Sequence, residues 1–307
     1  MIGLVVRNTG SSYLVKTLDN ELVECRVKGN FRIKGIKSTN PVAVGDRVSF
    51  EVMADGTGWI TQIEDRKNYI VRRPANLSKQ LHVIAANVDQ LLLVATINHP
   101  ETSTVFIDRV LATSEAYQVP TILIINKIDL YTEDEKEYMT ALKQLYESIG
   151  YKVLCVSAKS GDGVSEIKSS LQGKTSLLSG NSGVGKSSII NAVSPSIETR
   201  TGVISDVHNK GMHTTTFSEM FEVGEDSFLI DTPGIKGFGT IDFQREEVGH
   251  YFPEIFRFSA ECKFGNCTHI HEPGCAVRKA LEEHYISESR YNSYLSILED
   301  CDEGKYR

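Results

Sequence analysis

Three short stretches of this sequence carry residue types and spacings suited to nucleotide chemistry. Gly180-Asn181-Ser182-Gly183-Val184-Gly185-Lys186-Ser187 matches the phosphate-binding loop pattern G-x-x-x-x-G-K-S. Glycines let backbone N–H groups curl around phosphates, and a following helix adds positive potential at its N-terminus. In such a loop Lys186 reaches the β- and γ-phosphates and the Ser187 hydroxyl binds Mg²⁺, with Ser188 completing the phosphate-binding set. Asp231-Thr232-Pro233-Gly234 lies further along the chain. There Asp231 can hold Mg²⁺, directly or through water, and the Gly234 N–H can meet a γ-phosphate. Asn126-Lys127-Ile128-Asp129 is a candidate base reader. Asp129 can accept from guanine N1–H and the 2-amino group, whereas adenine would leave it unpaired, and such a mismatch discriminates strongly. Asn126 braces the loop, the Lys127 stem covers a ring face, and Ser157-Ala158-Lys159 offers backbone to the guanine oxygen.

The order of these stretches is unusual. In ordinary GTPases the phosphate loop comes first and the base readers last. Here Asn126–Asp129 and Ser157–Lys159 precede Gly180–Ser187, and Asp231–Gly234 follows. Such a permutation is tolerable when the termini of a compact domain lie close together. Between the phosphate-loop helix and Phe217, the polar stretch Thr199–Thr216 reads as a switch loop. Thr215, or failing that Thr214, would complete the Mg²⁺ shell, although a Thr run can also simply open a strand. Ile235 stands where Ras-like enzymes carry a water-orienting Gln, so unaided hydrolysis should be slow. His213 is a candidate catalytic group from the loop, or a solvated loop histidine.

A second kind of chemistry is written in Cys262-x₄-Cys267-x-His269-x₅-Cys275. Three thiolates and an imidazole suit a closed, structural, tetrahedral Zn²⁺ site, one per chain. His271 is an alternative ligand with a poorer spacing.

The elements that must position these residues fall into three units with a linker. Residues 1–72 read as a small β-barrel, with strands at Gly3–Asn8, Tyr13–Thr17, Leu22–Val27, Arg47–Val52 and Trp59–Ile63 and turn signals between them; an OB-fold is the expected kind. Residues 73–87 read as a linker. Residues 88–241 alternate strands and helices, which predicts an α/β, doubly wound, mostly parallel sheet. Its strands are expected at Gln90–Ile97, Thr121–Ile125, Lys152–Val156 and Thr175–Ser179, followed by a hairpin from Phe217–Val223 and Ser227–Ile230. Helices are expected at Val105–Tyr117, Glu133–Ile149, Val164–Leu171 and Ser187–Val193. Residues 242–307 read as a helical zinc-binding domain.

Composition sets the frame. The chain has 307 residues and a net charge of −7, yet residues 1–80 hold 13 Lys and Arg against 8 Asp and Glu, leaving −12 for the remainder. Arg26, Lys28, Arg32, Lys34 and Lys37 form a basic run suited to polyanions, or a solvated loop. No apolar run approaches the roughly 18 residues of a membrane span, and no secretory leader pattern opens the chain. A cytoplasmic protein without a membrane partner is expected.

The N-terminal barrel, the permuted GTPase order, hydrophobic Ile235 and the Cys-Cys-His-Cys knuckle together closely resemble the bacterial ribosome small-subunit-dependent GTPase A family. Lys210-Gly211-Met212-His213-Thr214-Thr215-Thr216 is similar to that family's switch stretch, which usually has another basic residue where Met212 stands. The resemblance implies a GTP hydrolase whose partners are GTP, GDP and the small ribosomal subunit with its rRNA; it works as a late maturation factor of that subunit, is stimulated by it and leaves after hydrolysis. A monomer is expected. The competing reading is a GTP-dependent RNA-binding regulatory module whose hydrolysis is incidental.

Overall fold

A computed structural model of the chain describes residues 1–10, 12–27, 41–72, 82–197, 218–231 and 243–303. Strands β1 (Ile2–Asn8), β2 (Tyr13–Thr17), β3 (Leu22–Val27), β4 (Arg47–Val52) and β5 (Gly58–Ile63) alternate buried with more exposed residues. In β2, for instance, Tyr13, Val15 and Thr17 point in while Leu14 and Lys16 point out, the period that lays one face of a strand on a core. The ladder runs β1–β2–β3–β5–β4 and returns to β1, with β3 and β5 parallel. Closure leaves these strands no open edge. Val5, Val15, Val48, Phe50 and Ile60 fill the interior. This is the expected OB-like barrel.

The stretch expected to be a linker contains structure. Strand β7 (His82–Ala86) pairs antiparallel with β6 (Tyr69–Arg72). Its five residues, His82-Val83-Ile84-Ala85-Ala86, show no apolar–polar alternation, so the sequence pattern does not announce it. β7 also receives the barrel. Val44 bridges Ala85, the Ala86 N–H donates to Val44 O at 2.9 Å, and Asn87 Nδ2 donates to Gly45 O at 2.9 Å. Gly45 has φ +93°, and a Cβ there would lie 2.1 Å from Ala86 O. Only glycine allows this approach.

The α/β unit carries β8 (Gln90–Ala95), α1 (Thr104–Ala116), β9 (Thr121–Ile125), α2 (Glu133–Ile149), β10 (Lys152–Cys155), α3 (Val164–Leu171), β11 (Thr175–Gly180), α4 (Lys186–Val193), β12 (Glu219–Gly224) and β13 (Ser227–Asp231). Strand order is β10-β9-β8-β11-β13-β12, parallel except for β12. In β8, Leu91, Leu93 and Ala95 enter one apolar cluster, with α1 and α2, while Leu92 and Val94 enter the other, with α3 and α4. A strand covered on both faces reads as a continuous apolar run for this reason. Helix α2 is delimited by a capping box, Thr132 with Glu135, and by Gly150 in a left-handed conformation, which satisfies its otherwise unpaired end groups. Connections from β8 build outward through β9 to β10. The chain then returns to the other side of β8 with β11. That reversal opens a crevice at the carboxyl ends of β8 and β11, the usual place for a ligand in such sheets.

Two further units flank this sheet. Strand β1 of the barrel pairs antiparallel with edge strand β12, Arg7 opposite Glu219, so that one sheet runs through both units. On the other side, α5 (Pro253–Ser259), α6 (Ala276–Glu282) and α7 (Glu288–Glu303) pack with the 3-10 turn Arg245–Tyr251 around Val248, Phe252, Ile255, Val277 and Tyr294. Among the described residues no helix is long and apolar enough to cross a membrane.

Candidate nucleotide and metal sites

The phosphate-loop sequence leaves β11 and enters α4 at the crevice, the strand–loop–helix context its chemistry requires. Val184 is buried, while Ser182, Gly183, Ser187 and Ser188 are exposed. Gly185 has φ +97°, and a Cβ there would lie 2.4 Å from Asn126 Nδ2. A side chain at this position would drive the loop away from the base-reading turn. Lys186 Nζ curls inside the loop and donates to Gly180 O at 2.7 Å and Asn181 O at 2.8 Å. Burial lowers its pKa, and the negative charge of Asp231 raises it in partial compensation. Asp231 closes β13 in register with Leu178 of β11, so its carboxylate reaches the same end of the sheet. Thr214, Thr215, His213, Gly234 and Ile235 lie outside the described residues, as do Lys28, Arg32, Lys34 and Lys37 of the basic run.

The base-reading candidates meet at the ends of β9 and β10. Asn126 is 1% exposed. Its Nδ2 donates to Val184 O of the phosphate loop at 2.9 Å, and its Oδ1 accepts from Ala158 N–H at 3.1 Å. One amide thus ties three stretches that stand 32 and 58 residues apart. Lys127, in a left-handed conformation, donates from Nζ to Gly183 O at 2.7 Å and to His99 O. Asp129 is exposed, and Ser157, fully buried, donates from Oγ to Asp129 Oδ1 at 2.6 Å. That bond leaves Oδ2 and the remaining lone pair of Oδ1 for a ligand. Lys159 is exposed beside it. Sequence spacing assigned Ser157 a backbone role. The structure adds a side-chain role, holding the carboxylate.

Motif reading missed the loop after β8. Thr96–Thr102 leaves the switch point and folds over the phosphate loop. Thr102 Oγ1 accepts from Thr96 N–H at 3.1 Å, and Pro100 Cδ lies 3.3 Å from where a Cβ on Gly183 would be. Tyr131, 5% exposed, reaches it from beyond the base-reading turn. Nothing in the types Asn98-His99-Pro100 marks them for this place; only the sheet order does.

The metal candidates converge in the C-terminal unit. The ligand atoms of Cys262, Cys267, His269 and Cys275 all lie within 4.8 Å of one another. His269 Nδ1 is 3.6 Å from Cys262 Sγ and 3.5 Å from Cys275 Sγ, and the two sulfurs are 3.9 Å apart. Those separations are close to the edges of a tetrahedron built on metal–sulfur bonds of about 2.3 Å. Burial and the neighbouring thiols push Cys267 up to about 12, and burial lowers the pKa of His269. Burial and the crowding of sulfurs make Cys267 and Cys275 resist ionisation unless a cation joins them, so the donor set fits a metal ion. His271, the alternative ligand, is exposed and outside the cluster. Glu272 organises the knuckle. Its carboxylate accepts from Thr268 N–H at 2.7 Å, Thr268 Oγ1 at 2.6 Å, Ile270 N–H at 3.0 Å and His271 N–H at 3.1 Å.

Comparison with known proteins agrees with this geometry. The family model for the RsgA GTPase matches residues 63–241, and that for the RsgA N-terminal domain matches residues 2–60. The chain belongs to the RsgA GTPase family. It is 64% identical over 307 residues to the small ribosomal subunit biogenesis GTPase RsgA 2 of Bacteroides thetaiotaomicron, covering 100% of this chain and 99% of that protein. It is 56% identical over 312 residues to the small ribosomal subunit biogenesis GTPase RsgA of Porphyromonas gingivalis, covering 100% and 99%. Among solved structures, YjeQ from Thermotoga maritima superposes with a TM-score of 0.77 at 34% identity over 98% of each chain. YloQ, described as a circularly permuted GTPase, superposes with a TM-score of 0.76 at 31% identity, covering 100% of this chain and 96% of that one. As a member of the family the chain is a GTPase, a hydrolase acting on GTP, and the permuted order read from its motifs is the order of its strands.

Proposed function

We propose that this chain hydrolyses GTP as a late maturation factor of the small ribosomal subunit, with turnover stimulated by that subunit. The observation that carries the nucleotide half is Asn126, buried between the phosphate loop and Ala158, with Asp129 held open beside it by Ser157. That arrangement suits guanine, because only guanine offers Asp129 two donors side by side. The names of the relatives support the ribosomal half.

In this reading Gly180, Asn181, Ser182, Gly183, Val184 and Gly185 cradle the phosphates by their backbone. Lys186 leaves the carbonyls of Gly180 and Asn181 for the phosphate oxygens, whose charge it neutralises as the terminal phosphoryl departs. Ser187, Asp231 and Thr215 hold Mg²⁺, and Gly234 meets the γ-phosphate. Ile235 cannot orient water, so His213 or a group from the ribosomal partner does. Zinc, one per chain, fits Cys262, Cys267, His269 and Cys275, and would brace the C-terminal unit. Arg26, Lys28, Arg32, Lys34 and Lys37 hold the barrel on rRNA. We further expect a cytoplasmic monomer.

The test is GTP turnover of the wild type, Lys186→Ala and Asp129→Asn, alone and with purified small or large ribosomal subunits. The proposal expects slow turnover alone, stimulation by the small subunit only, no turnover in Lys186→Ala, and a shift of Asp129→Asn toward xanthosine triphosphate. Equal turnover with and without small subunits would favour the regulatory binding module.

A further inference from the structure

The guanine reader and the phosphate loop come from different strands, yet a nucleotide needs them at one spacing. Tyr131 lies where that spacing can be set. Its hydroxyl donates to Asn126 O at 2.5 Å and accepts from Ile97 N–H at 2.8 Å. It therefore clips the carbonyl that begins the base-reading turn to the loop that follows β8. The same loop reaches the phosphates' side twice: His99 O accepts from Lys127 Nζ, which also donates to Gly183 O, and Pro100 lies over Gly183. Outward, Asn98 Nδ2 donates to Glu135 Oε1 at 2.9 Å, pinning the loop to the first turn of α2. Tyr131 is 5% exposed, and both groups it joins are backbone groups.

We propose that Tyr131 is a positioning residue for guanine selectivity, acting through the Thr96–Thr102 loop to hold Asp129 at the distance from the phosphate loop that lets its carboxylate take both guanine donors. It touches neither base nor phosphate. The inference rests on the reading of Asn126–Asp129 as the base-reading turn. A phenylalanine keeps the ring in the core and removes only the hydroxyl. The carbonyl of Asn126 and the N–H of Ile97 then lose their common partner, and the turn can drift. Inosine nucleotides lack the 2-amino group and already forgo one of the two bonds. They lose less from the drift than guanine nucleotides do, so selectivity, not only affinity, changes.

The experiment measures dissociation constants of GDP and IDP, together with KM and kcat for GTP, in the full-length protein. Tyr131→Phe should weaken GDP by about tenfold, the scale of one lost buried hydrogen bond. It should weaken IDP distinctly less, so that the IDP-to-GDP ratio falls, and should raise KM while kcat at saturating GTP holds within about twofold. A tyrosine that merely supports the fold would weaken both nucleotides alike. Asn98→Ala frees the same loop at the surface; it should move the ratio the same way by a smaller factor, and it serves if Tyr131→Phe does not fold. Asp129→Asn is measured in parallel. If it does not gain xanthosine diphosphate, the base-reading turn is misassigned and the inference falls with it. If it does gain it, but neither Tyr131→Phe nor Asn98→Ala alters the IDP-to-GDP ratio, the role of Tyr131 alone is overturned.

Discussion

The two units that flank the GTPase sheet are joined to it by different chemistry. The barrel is joined through backbone contacts and a shared apolar core, with Leu4, Val6 and Val44 packed in the cluster that holds Leu91, Leu93 and Met220. Val44 bridges Ala85, Gly45 lies against Ala86, and β1 meets edge strand β12. The C-terminal helices are joined through buried charge. Arg290, 1% exposed, donates from Nε and Nη2 to Glu254 at 2.7 and 3.1 Å and from Nη1 to Asp108 of α1 at 2.8 Å. Tyr146 of α2 donates to the same Asp108 oxygen at 2.7 Å. A buried charge cluster is all-or-none, because removing one member strands the others. A seam of backbone contacts, apolar side chains and exposed ion pairs has no single member whose loss strands a buried charge, so it changes in smaller steps. The graded seam lies on β12, which follows residues 198–217 and leads through β13 to residues 232–242. Those two stretches hold Thr215 and Gly234, the residues expected to sense the γ-phosphate. The joint beside the stretches proposed to sense the nucleotide is thus the one that yields more readily.

The C-terminal side should give the largest effects. Stripping the proposed zinc, or Cys267→Ser, should unlock residues 243–303 while β8, β9 and β11 keep their protection from hydrogen exchange. Structural zinc supplies about 10–16 kcal/mol of apparent folding free energy in zinc-finger peptides, and a smaller effect is expected here because a core already exists. Unchanged exchange across 243–303 after chelation would detach the metal from the stability of this unit. Acid offers a second way in. Burial raises the pKa of Glu272, but the hydrogen bonds from Thr268 and the backbone outweigh it and hold the carboxylate at about 2. A depressed carboxylate contributes stability above its unfolded pKa, near 4.3, and loses it only as pH falls toward the folded value. Above about pH 4.3, loss of the proposed metal should therefore leave the Thr268–Glu272 bonds in place. Next in size is Arg290→Met, which leaves Asp108 and Glu254 buried without their cation and should cost about 3–5 kcal/mol in urea unfolding. Adding Asp108→Asn and Glu254→Gln should recover much of that. A cost for Arg290→Met alone below about 1 kcal/mol would make the two seams alike.

On the barrel side the first step is Gly45→Ala. It would have to hold φ near +93° and lie 2.1 Å from Ala86 O. Backbone strain of this kind costs about 1–3 kcal/mol, and here the contact itself must also open. The expected result is a modest loss of stability with faster exchange at Ala85 and Ala86. Gly45→Asn separates the two causes, since Asn tolerates the conformation but not the contact. If Asn restores the wild-type behaviour, only the conformation matters at this position and the close approach does not.

How far each region could be read from the chain follows from the same contrast. The phosphate loop, Asn126–Asp129 and the cysteine knuckle are local strings, whose chemistry needs neighbours in sequence, and they stood out at once. The barrel strands and the sheet were legible because burial on one face or two imposes a period. The charge cluster was not, because Asp108 and Arg290 are 182 residues apart and each alone looks like a surface charge. Asp46 shows the same limit. In the pair Gly45-Asp46 it reads as a turn residue, yet it is fully buried, bonded to Arg66 at 2.7 Å and to Ala43 N–H at 2.8 Å. Tyr131 was hidden for a different reason: its role depends on which strand lies beside β9, and that order appears only once the sheet is assembled.

The smallest expected effect belongs to the ion pairs that line the β1–β12 seam, Arg7 with Glu219 and Lys16 with Glu222. Arg7 and Glu222 remain about half exposed, with side-chain accessibilities of 45% and 50%. Pairs in such surroundings are worth roughly 0–1 kcal/mol and weaken as salt shortens the Debye length from about 10 Å at 0.1 M to about 3 Å at 1 M. Arg7→Ala should therefore change stability by less than about 1 kcal/mol, and the change should fade in 1 M salt. Reversal is a sharper probe than deletion. Arg7→Glu sets two carboxylates against each other across the ladder, where like charges directly opposite are unfavourable, and Glu219→Arg in the same chain restores attraction with the signs exchanged. If the seam is as pliable as its chemistry implies, Arg7→Glu should speed hydrogen exchange in β1 and β12 without touching residues 243–303, and the double reversal should bring exchange back. Should Arg7→Glu instead destabilise the whole chain as severely as Arg290→Met, the barrel is locked to the sheet as firmly as the C-terminal helices are, and a yielding joint beside the nucleotide-sensing stretches is ruled out.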